Sequence, residues 1–297
     1  MTMLNKINLT FISACIISLC LVTLLVPIPL GVQIALFLIG SLIIGLPHGA
    51  MDYDIAKFLN LCNTFKDKAY FFTGYLMIAA LNFALWVWMP VAGFLFLIAL
   101  TVWHFSEDWV LNTKEHSRLF ILLRKLFFGA GFICLPSMLN TPELIDILSI
   151  LMPTDDSETA VQLLSTLSIP LLILMIGCLF VDLVKKRYMD LMLGGIFISS
   201  GLFLPPILFL FLYFCLLHGP RHTLELYRLL NYQSFGEMLK RQVPIMVLTI
   251  MLLGLAYVFY QDMVGPNEAI FSSLIITIAC LTTPHIILFE YLNKKLL

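Results

Sequence analysis

Charged residues are scarce in this chain. Of its 297 residues only 12% are charged and 61% are hydrophobic, whereas about 25% of a typical soluble domain is charged. The formal net charge is −1, so the chain has no basic surface for nucleic acid. A Gly-rich phosphate loop and a dinucleotide fingerprint are also missing. These absences exclude an ordinary soluble domain and a nucleic-acid-binding protein, and they favour a membrane protein.

Cysteine-based and protease-type metal signatures are missing too. The seven cysteines show no paired spacing of the kind that forms a disulfide framework or a zinc site. The HExxH motif of zinc proteases is absent. Six histidines with a single HxxxH pair are too few for the several histidine clusters of a di-iron desaturase. Any metal site must therefore be built from histidines brought together by the fold.

Apolar segments recur along the chain, and a transmembrane helix needs about 20 such residues. We predict an all-α polytopic transmembrane helical bundle of about ten spans (8–10), forming one integral-membrane domain over residues 1–297. The first apolar run is too long for a cleaved signal peptide. The predicted spans are 7–26, 32–47, 69–88, 91–106, 119–138, 167–184, 190–204, 206–219, 244–261 and 268–290.

The basic residues indicate the orientation. The loops joining spans 1 and 2, 3 and 4, 5 and 6, 7 and 8, and 9 and 10 contain no Lys or Arg. By the positive-inside rule both termini then lie in the cytoplasm, and the chain is a multi-pass protein of the cell membrane. Arg124 and Lys125 lie inside span 119–138 and would snorkel towards the interface. The longest outer loop, 139–166, contains a predicted interfacial helix near 142–152.

Histidines cluster at one membrane depth in this topology. His48 ends span 2, His104 ends span 4, and both His218 and His222 end span 8. His285 lies in the inner third of span 10, so all five lie near the cytoplasmic face. Ionisable groups inside spans are costly and indicate function, and neutral imidazole suits iron, zinc and copper. A metal or haem site is favoured over a proton relay or a structural polar cluster.

His116 differs from the other five histidines. It lies in a hydrophilic loop, outside the predicted spans, and no motif surrounds it. We therefore expect it to be solvated and to have no part in the site.

Carboxylates follow two of these histidines. Asp52 comes four residues after His48, and Glu107 and Asp108 come three and four residues after His104. At this spacing a carboxylate can hydrogen-bond the far ring nitrogen of a ligand histidine or of a neighbouring one. The alternative is that these are ordinary charges at the membrane interface.

The other two motifs contain prolines. His218 and His222 have the i, i+4 spacing at which two imidazoles chelate one metal, but Gly219-Pro220 intervenes. Because proline suits the first turn of a helix, we expect span 8 to end near His218 and a new helix to start at Pro220. Pro205-Pro206 predicts a tight turn or the tip of a re-entrant hairpin, and Pro284 predicts a kink beside His285.

These segments together resemble the membrane-bound β-carotene 15,15′-dioxygenase family of bacteria and archaea, of the bacteriorhodopsin-related (Brp/Blh) type. The matching segments are Pro47-His48-Gly49-Ala50 with Asp52, Trp103-His104-Phe105 with Asp108, His218 and His222 with Arg221 and Glu225, and Pro284-His285. The resemblance covers most of the chain. Family members often carry a further histidine or other residues after the aspartate of the first motif, where this chain has Tyr53.

The resemblance implies a carotenoid-cleaving oxygenase with Fe²⁺ as cofactor. Its substrates would be β-carotene and O2, its product all-trans-retinal, and a retinal-binding rhodopsin a functional partner. The implied iron ligands are His48, His104, His218 and His222, and His285 is an additional ligand or a support. The candidate supporting carboxylates are Asp52, Glu107 and Asp108, by their spacing from the histidines, and Glu225, which stands in a matching segment. Four imidazoles leave up to two coordination positions open on the metal.

An apolar polyene partitions into the lipid bilayer, so a site among helices could take it laterally. Aromatic side chains near the histidines are predicted to line the substrate channel: Tyr53, Trp103, Phe105, Tyr213 and Phe214. The alternative for these residues is an ordinary aromatic belt at the interface.

Two alternatives of other classes stay open. Histidines on neighbouring spans can ligate haem, which would make the chain a membrane cytochrome. Charged residues near spans can mark the ion path of an ion-coupled transporter. Asp182 and Asp190 are the acidic candidates for such a path, and both are predicted to be interfacial.

Overall fold

The computed structural model describes residues 2–24, 28–109 and 117–296, without the side chain of Asn267. In these ranges the chain is helical and contains no strand, so the predicted all-α polytopic class is confirmed. His116 lies outside the described residues. The α-helices are α1 Met3–Leu24, α2 Leu30–Gly40, α3 Leu46–Ala50, α4 Asp52–Phe58, α5 Phe65–Trp88, α6 Pro90–Ser106, α7 Arg118–Cys134, α8 Pro136–Leu139, α9 Thr141–Ser149, α10 Thr154–Val184, α11 Tyr188–Phe203, α12 Pro206–Tyr213, α13 Gly219–Leu229, α14 Phe235–Val264 and α15 Pro266–Leu296.

Nine helical segments of the described residues are long and apolar enough to cross a membrane. The predicted span that is not among these nine, 190–204, corresponds to α11, which has only 16 residues. Helix α9 forms where the interfacial helix was predicted. The nine segments are Met3–Leu24, Leu30–Phe58, Phe65–Trp88, Pro90–Trp109, Arg118–Leu139, Thr154–Val184, Pro206–Leu229, Phe235–Val264 and Glu268–Leu296. The cytoplasmic orientation of both termini stays a prediction.

The helices form two compact units that are discontinuous in sequence. The first unit comprises Met1–Ser41 and Thr101–Arg221, and the second comprises Leu42–Leu100 and His222–Leu297. Each unit has its own buried apolar cluster. That the whole chain acts as one catalytic domain stays a prediction.

A buried ion pair lies in the first unit, between α7 and α10. Arg124 is 1% exposed and Asp182 is fully buried, and Arg124 Nη1 lies 2.5 Å from Asp182 Oδ2. Neither side chain is therefore exposed at the protein surface, because each charge is compensated by the opposite charge on the facing helix. The depth of the two residues in the membrane stays a prediction.

Two π-helical segments precede the histidine motifs. Ser41–Gly45 runs directly into α3, and Phe214–His218 runs directly into α13. Each is followed within two residues by a proline, Pro47 or Pro220. Proline lacks the N–H and clashes with the carbonyl four residues earlier, and a π-helical turn is one way in which a helix accommodates this.

The helix consequently continues through His218, whereas the sequence predicted that it would end near this residue. Pro206–Leu229 forms a continuous helical segment, and only its winding changes, between His218 and Gly219. Helix α15 likewise runs through Pro284. Leu204 is extended and Pro205 precedes α12, so the predicted turn between α11 and α12 is present.

Candidate metal centre

Three histidines come together in the second unit. His48 lies on α3, His222 on α13 and His285 on α15, and all three side chains are buried. Each offers one ring nitrogen such that these atoms all lie within 4.8 Å of one another. The ring centroids are 4.5 Å apart for His48 and His222 and 5.0 Å apart for His48 and His285. Such converging imidazoles fit the requirements of a divalent transition metal.

Asp52 fixes the orientation of His285. This buried carboxylate accepts from His285 Nδ1 through Oδ1 at 2.6 Å, and from the Tyr75 hydroxyl through Oδ2, also at 2.6 Å. A carboxylate that accepts from Nδ1 keeps the proton on that nitrogen and directs the lone pair of Nε2 towards a metal. The predicted supporting role of Asp52 therefore has a geometric basis.

The first unit contains a similar arrangement. The buried rings of His104 and His218 lie 4.7 Å apart between centroids. Asp108 Oδ2 lies 2.9 Å from His218 Nδ1 and accepts from the Tyr213 hydroxyl at 2.9 Å. In both units an aspartate four residues after one histidine binds a second histidine on a later helix and a tyrosine.

The structure separates the two acidic residues that follow His104. Asp108 is buried against His218, while Glu107 points elsewhere and forms an ion pair with Lys125 of α7. Both residues lie in the short 3-10 turn Glu107–Trp109. Glu225 is exposed on α13. The structure thus places Asp52 and Asp108 on histidines and Glu107 on a lysine.

Of the aromatic residues predicted to line the substrate channel, some lie against a histidine and others lie nearer the protein surface. Phe105 and Phe214 lie against His218, with ring centroids 4.5 Å and 6.0 Å from it. Trp103 is 50% exposed, and Tyr53 is half-buried beside Phe72. The buried Tyr213 has a polar function, because its hydroxyl binds Asp108. The substrate channel itself stays a prediction.

Sequence reasoning missed several supporting residues. Tyr75 gave no signal, because it is separated from Asp52 by a whole loop. Arg221 stood in a matching segment without a role. Its Nη1 donates to the Asp108 carbonyl at 2.6 Å, and its Nε and Nη2 donate to Asn8 Oδ1 at 3.1 and 2.6 Å. Asn8 is a polar amide in the first apolar span, and this position could have indicated a buried polar partner such as Arg221.

The fold and the site define the class: a polytopic membrane protein with buried, converging histidines, two of which, His218 and His285, are oriented by carboxylates as transition-metal ligands are. Residues 39–293 match the family model described as beta-carotene 15,15′-dioxygenase. The chain belongs to this family of enzymes, and the resemblance drawn from its motifs is confirmed. All five buried histidines lie within the matched residues.

A relative supports the same assignment. The protein named beta-carotene 15,15′-dioxygenase of Uncultured marine bacterium 66A03 is 23% identical over 273 residues, which cover 84% of this chain and 90% of the relative. No solved structure matches the chain significantly.

Proposed function

We propose that this enzyme uses Fe²⁺ and O2 to cleave the central 15,15′ double bond of β-carotene into two molecules of all-trans-retinal. Family membership supports the substrate and the bond cleaved. The reaction balances when the carbon–carbon double bond breaks and each half receives one oxygen atom of O2 as an aldehyde oxygen. No further reductant is needed.

Buried histidines are the proposed iron ligands. The observation that carries this is the convergence of His48, His222 and His285 within 4.8 Å. His104 and His218 complete the proposed set, since the resemblance implies both and Asp108 orients His218 as a ligand would be oriented. Ferrous iron, when bound with open positions, supplies the activation of O2.

The protein's own contribution is to orient the imidazoles and to keep the site dry. Asp52 and Asp108 fix ring orientation and raise the donor strength of the histidines that they contact. Phe105 and Phe214 pack on His218 and provide apolar surface, which suits a hydrocarbon substrate. The polyene would enter from the bilayer, and the site would lie near the cytoplasmic face of the cell membrane.

One of the two acidic candidates for an ion path is neutralised. Asp182, one acidic candidate for an ion path, is buried and paired with Arg124, so it carries no uncompensated charge. A haem protein would show a Soret absorption band after purification, whereas a histidine-ligated ferrous site would not.

The direct test is expression in cells that accumulate β-carotene, followed by pigment extraction. We expect loss of the orange colour and formation of retinal, and no such change with a His48→Ala/His222→Ala variant. The purified enzyme should lose activity with a ferrous chelator and regain it with Fe²⁺ but not with Zn²⁺. Full activity of metal-free protein would refute the iron site.

A further inference from the structure

Two polar side chains of α5 point at the helix that carries His285. Tyr75 and Asn82 are seven residues apart, which places them on one face of a helix two turns apart. Asn82 Nδ2 donates to the Ala279 carbonyl at 2.9 Å and to Thr283 Oγ1 at 2.8 Å. The Tyr75 hydroxyl lies 3.3 Å from the Leu281 carbonyl, besides its 2.6 Å bond to Asp52.

These acceptors lie within six residues N-terminal to His285, in the turns that a proline weakens. Pro284 has no N–H, so the helix loses the hydrogen bond that would reach back to the carbonyl of Cys280. Bonds between helices secure such a segment when its own ladder is interrupted. Asn82 is 5% exposed and Thr283 7% exposed, so this contact is made away from solvent.

Tyr75 connects the same helix face to the carboxylate. Because its hydroxyl occupies Asp52 Oδ2 while His285 Nδ1 occupies Oδ1, the carboxylate plane is held by both of its oxygens. Without the hydroxyl, the carboxylate could rotate about its own bonds, and the His285 ring would lose a fixed partner. The position of one imidazole thus depends on α4, α5 and α15 together.

We propose that Tyr75 and Asn82 are positioning residues that set His285 as a metal ligand, Tyr75 through Asp52 and Asn82 through the helix around Pro284. This rests on the proposed iron function. Tyr75 binds Asp52 and Asn82 binds the helix that carries His285, so their effect should appear in iron affinity before it appears in the chemical step.

The test measures the dissociation constant for Fe²⁺ of the purified full-length protein, under anaerobic conditions, by competition with a chelator. Tyr75→Phe removes only the hydroxyl and should weaken Fe²⁺ binding about 10-fold, the lower end of what loss of an outer-shell partner costs. Asn82→Leu should weaken it as well. Tyr260→Phe is the matched control, because Tyr260 is buried in the same unit and packs edge-on against Phe83 of α5. The Fe²⁺ affinity of this variant should stay at the wild-type value.

A double-mutant cycle identifies the route of the effect. If Tyr75 acts through Asp52, Tyr75→Phe should cause no further loss in an Asp52→Asn background. Full additivity of the two losses would overturn that route. Thermal unfolding of the iron-free protein is measured in parallel, and a Tyr75→Phe variant with lowered stability but unchanged Fe²⁺ affinity would show a packing role only and overturn the proposal.

Different results would refute the positioning role of Tyr75 and Asn82 and the iron function of the enzyme. If the wild type binds Fe²⁺ and His285→Ala weakens that binding, while Tyr75→Phe and Asn82→Leu match the wild type, the positioning role is refuted and the iron function stands. If the wild type converts β-carotene without binding Fe²⁺, the iron function is refuted and the positioning role falls with it.

Discussion

Arg124 donates to Asp182 across 2.5 Å between α7 and α10, and its Nε donates to the Trp109 carbonyl at 3.2 Å. One guanidinium thus joins two long helices to the turn that carries Asp108. A buried ion pair adds little net stability, but removal of one partner leaves an uncompensated charge and costs about 3–5 kcal/mol.

Arg124→Met should therefore destabilise the protein severely, with the loss set by the remaining Asp182 charge. The double variant Arg124→Met/Asp182→Met should recover most of that stability, because no buried charge is left. Denaturation followed by helix content in detergent measures both. Equal losses in the single and double variants would contradict the interpretation. The control is Arg241 of α14, whose side chain is 51% exposed and pairs with Glu237; Arg241→Met should cost under about 1 kcal/mol.

Gly129 of α7 permits a close approach of α6. A methyl group at this position would lie 2.4 Å from the Val102 carbonyl oxygen, which is backbone and lies two residues before His104. Gly129→Ala should therefore separate the helices and cost about 1–3 kcal/mol, as overpacking does. Gly177→Ala in α10 is the control, since nothing lies within 4 Å of its added methyl group; it should be as stable as the wild type or slightly more so. Thermal unfolding distinguishes the two.

Substitutions of the two adjacent acidic residues in the 3-10 turn should have very different effects on iron affinity and retinal formation. Asp108→Asn weakens the acceptor of His218 Nδ1, so we expect a loss of iron affinity or retinal formation of about 10–100-fold. Glu107→Gln removes only a contact with Lys125 at the surface and should change either quantity less than about 2-fold, since exposed ion pairs contribute little. Iron content after dialysis against a chelator checks both variants, and similar losses in the two would contradict the assignment.

Much of this site could be predicted from the sequence, because histidines are rare and their positions relative to the spans are readable. The i, i+4 spacing of Asp52 and Asp108 from the preceding histidines predicted supporting carboxylates. It did not reveal that the partners are His285 and His218 on later helices, since hydropathy fixes span boundaries but not which helices are neighbours. The same limit concealed the contacts of Tyr75 and Asn82, and it concealed the pairing of Arg124 with Asp182.

Topology is testable apart from chemistry. The distribution of Lys and Arg predicts that both termini are cytoplasmic. A reporter fused after Leu297 that works only outside the cytoplasm should stay silent, while one that works inside should be active. The opposite result would overturn the orientation and would move the histidines to the other face of the membrane.

Each of the proposed iron ligands should be essential on its own. His48→Ala, His104→Ala, His218→Ala and His222→Ala should each abolish iron retention and retinal formation while the protein still inserts in the membrane, since ligands of one metal act as a unit and their losses are not additive. His285→Ala should behave like these four, because its ring converges with His48 and His222; a mild loss would instead leave it as a support.

His116→Ala is the internal control and should be nearly normal, because His116 lies in a hydrophilic loop between predicted spans. Iron content and retinal yield are measured on the same membranes. An inactive His116→Ala beside active His218→Ala and His222→Ala would overturn both the depth argument and the ligand assignment.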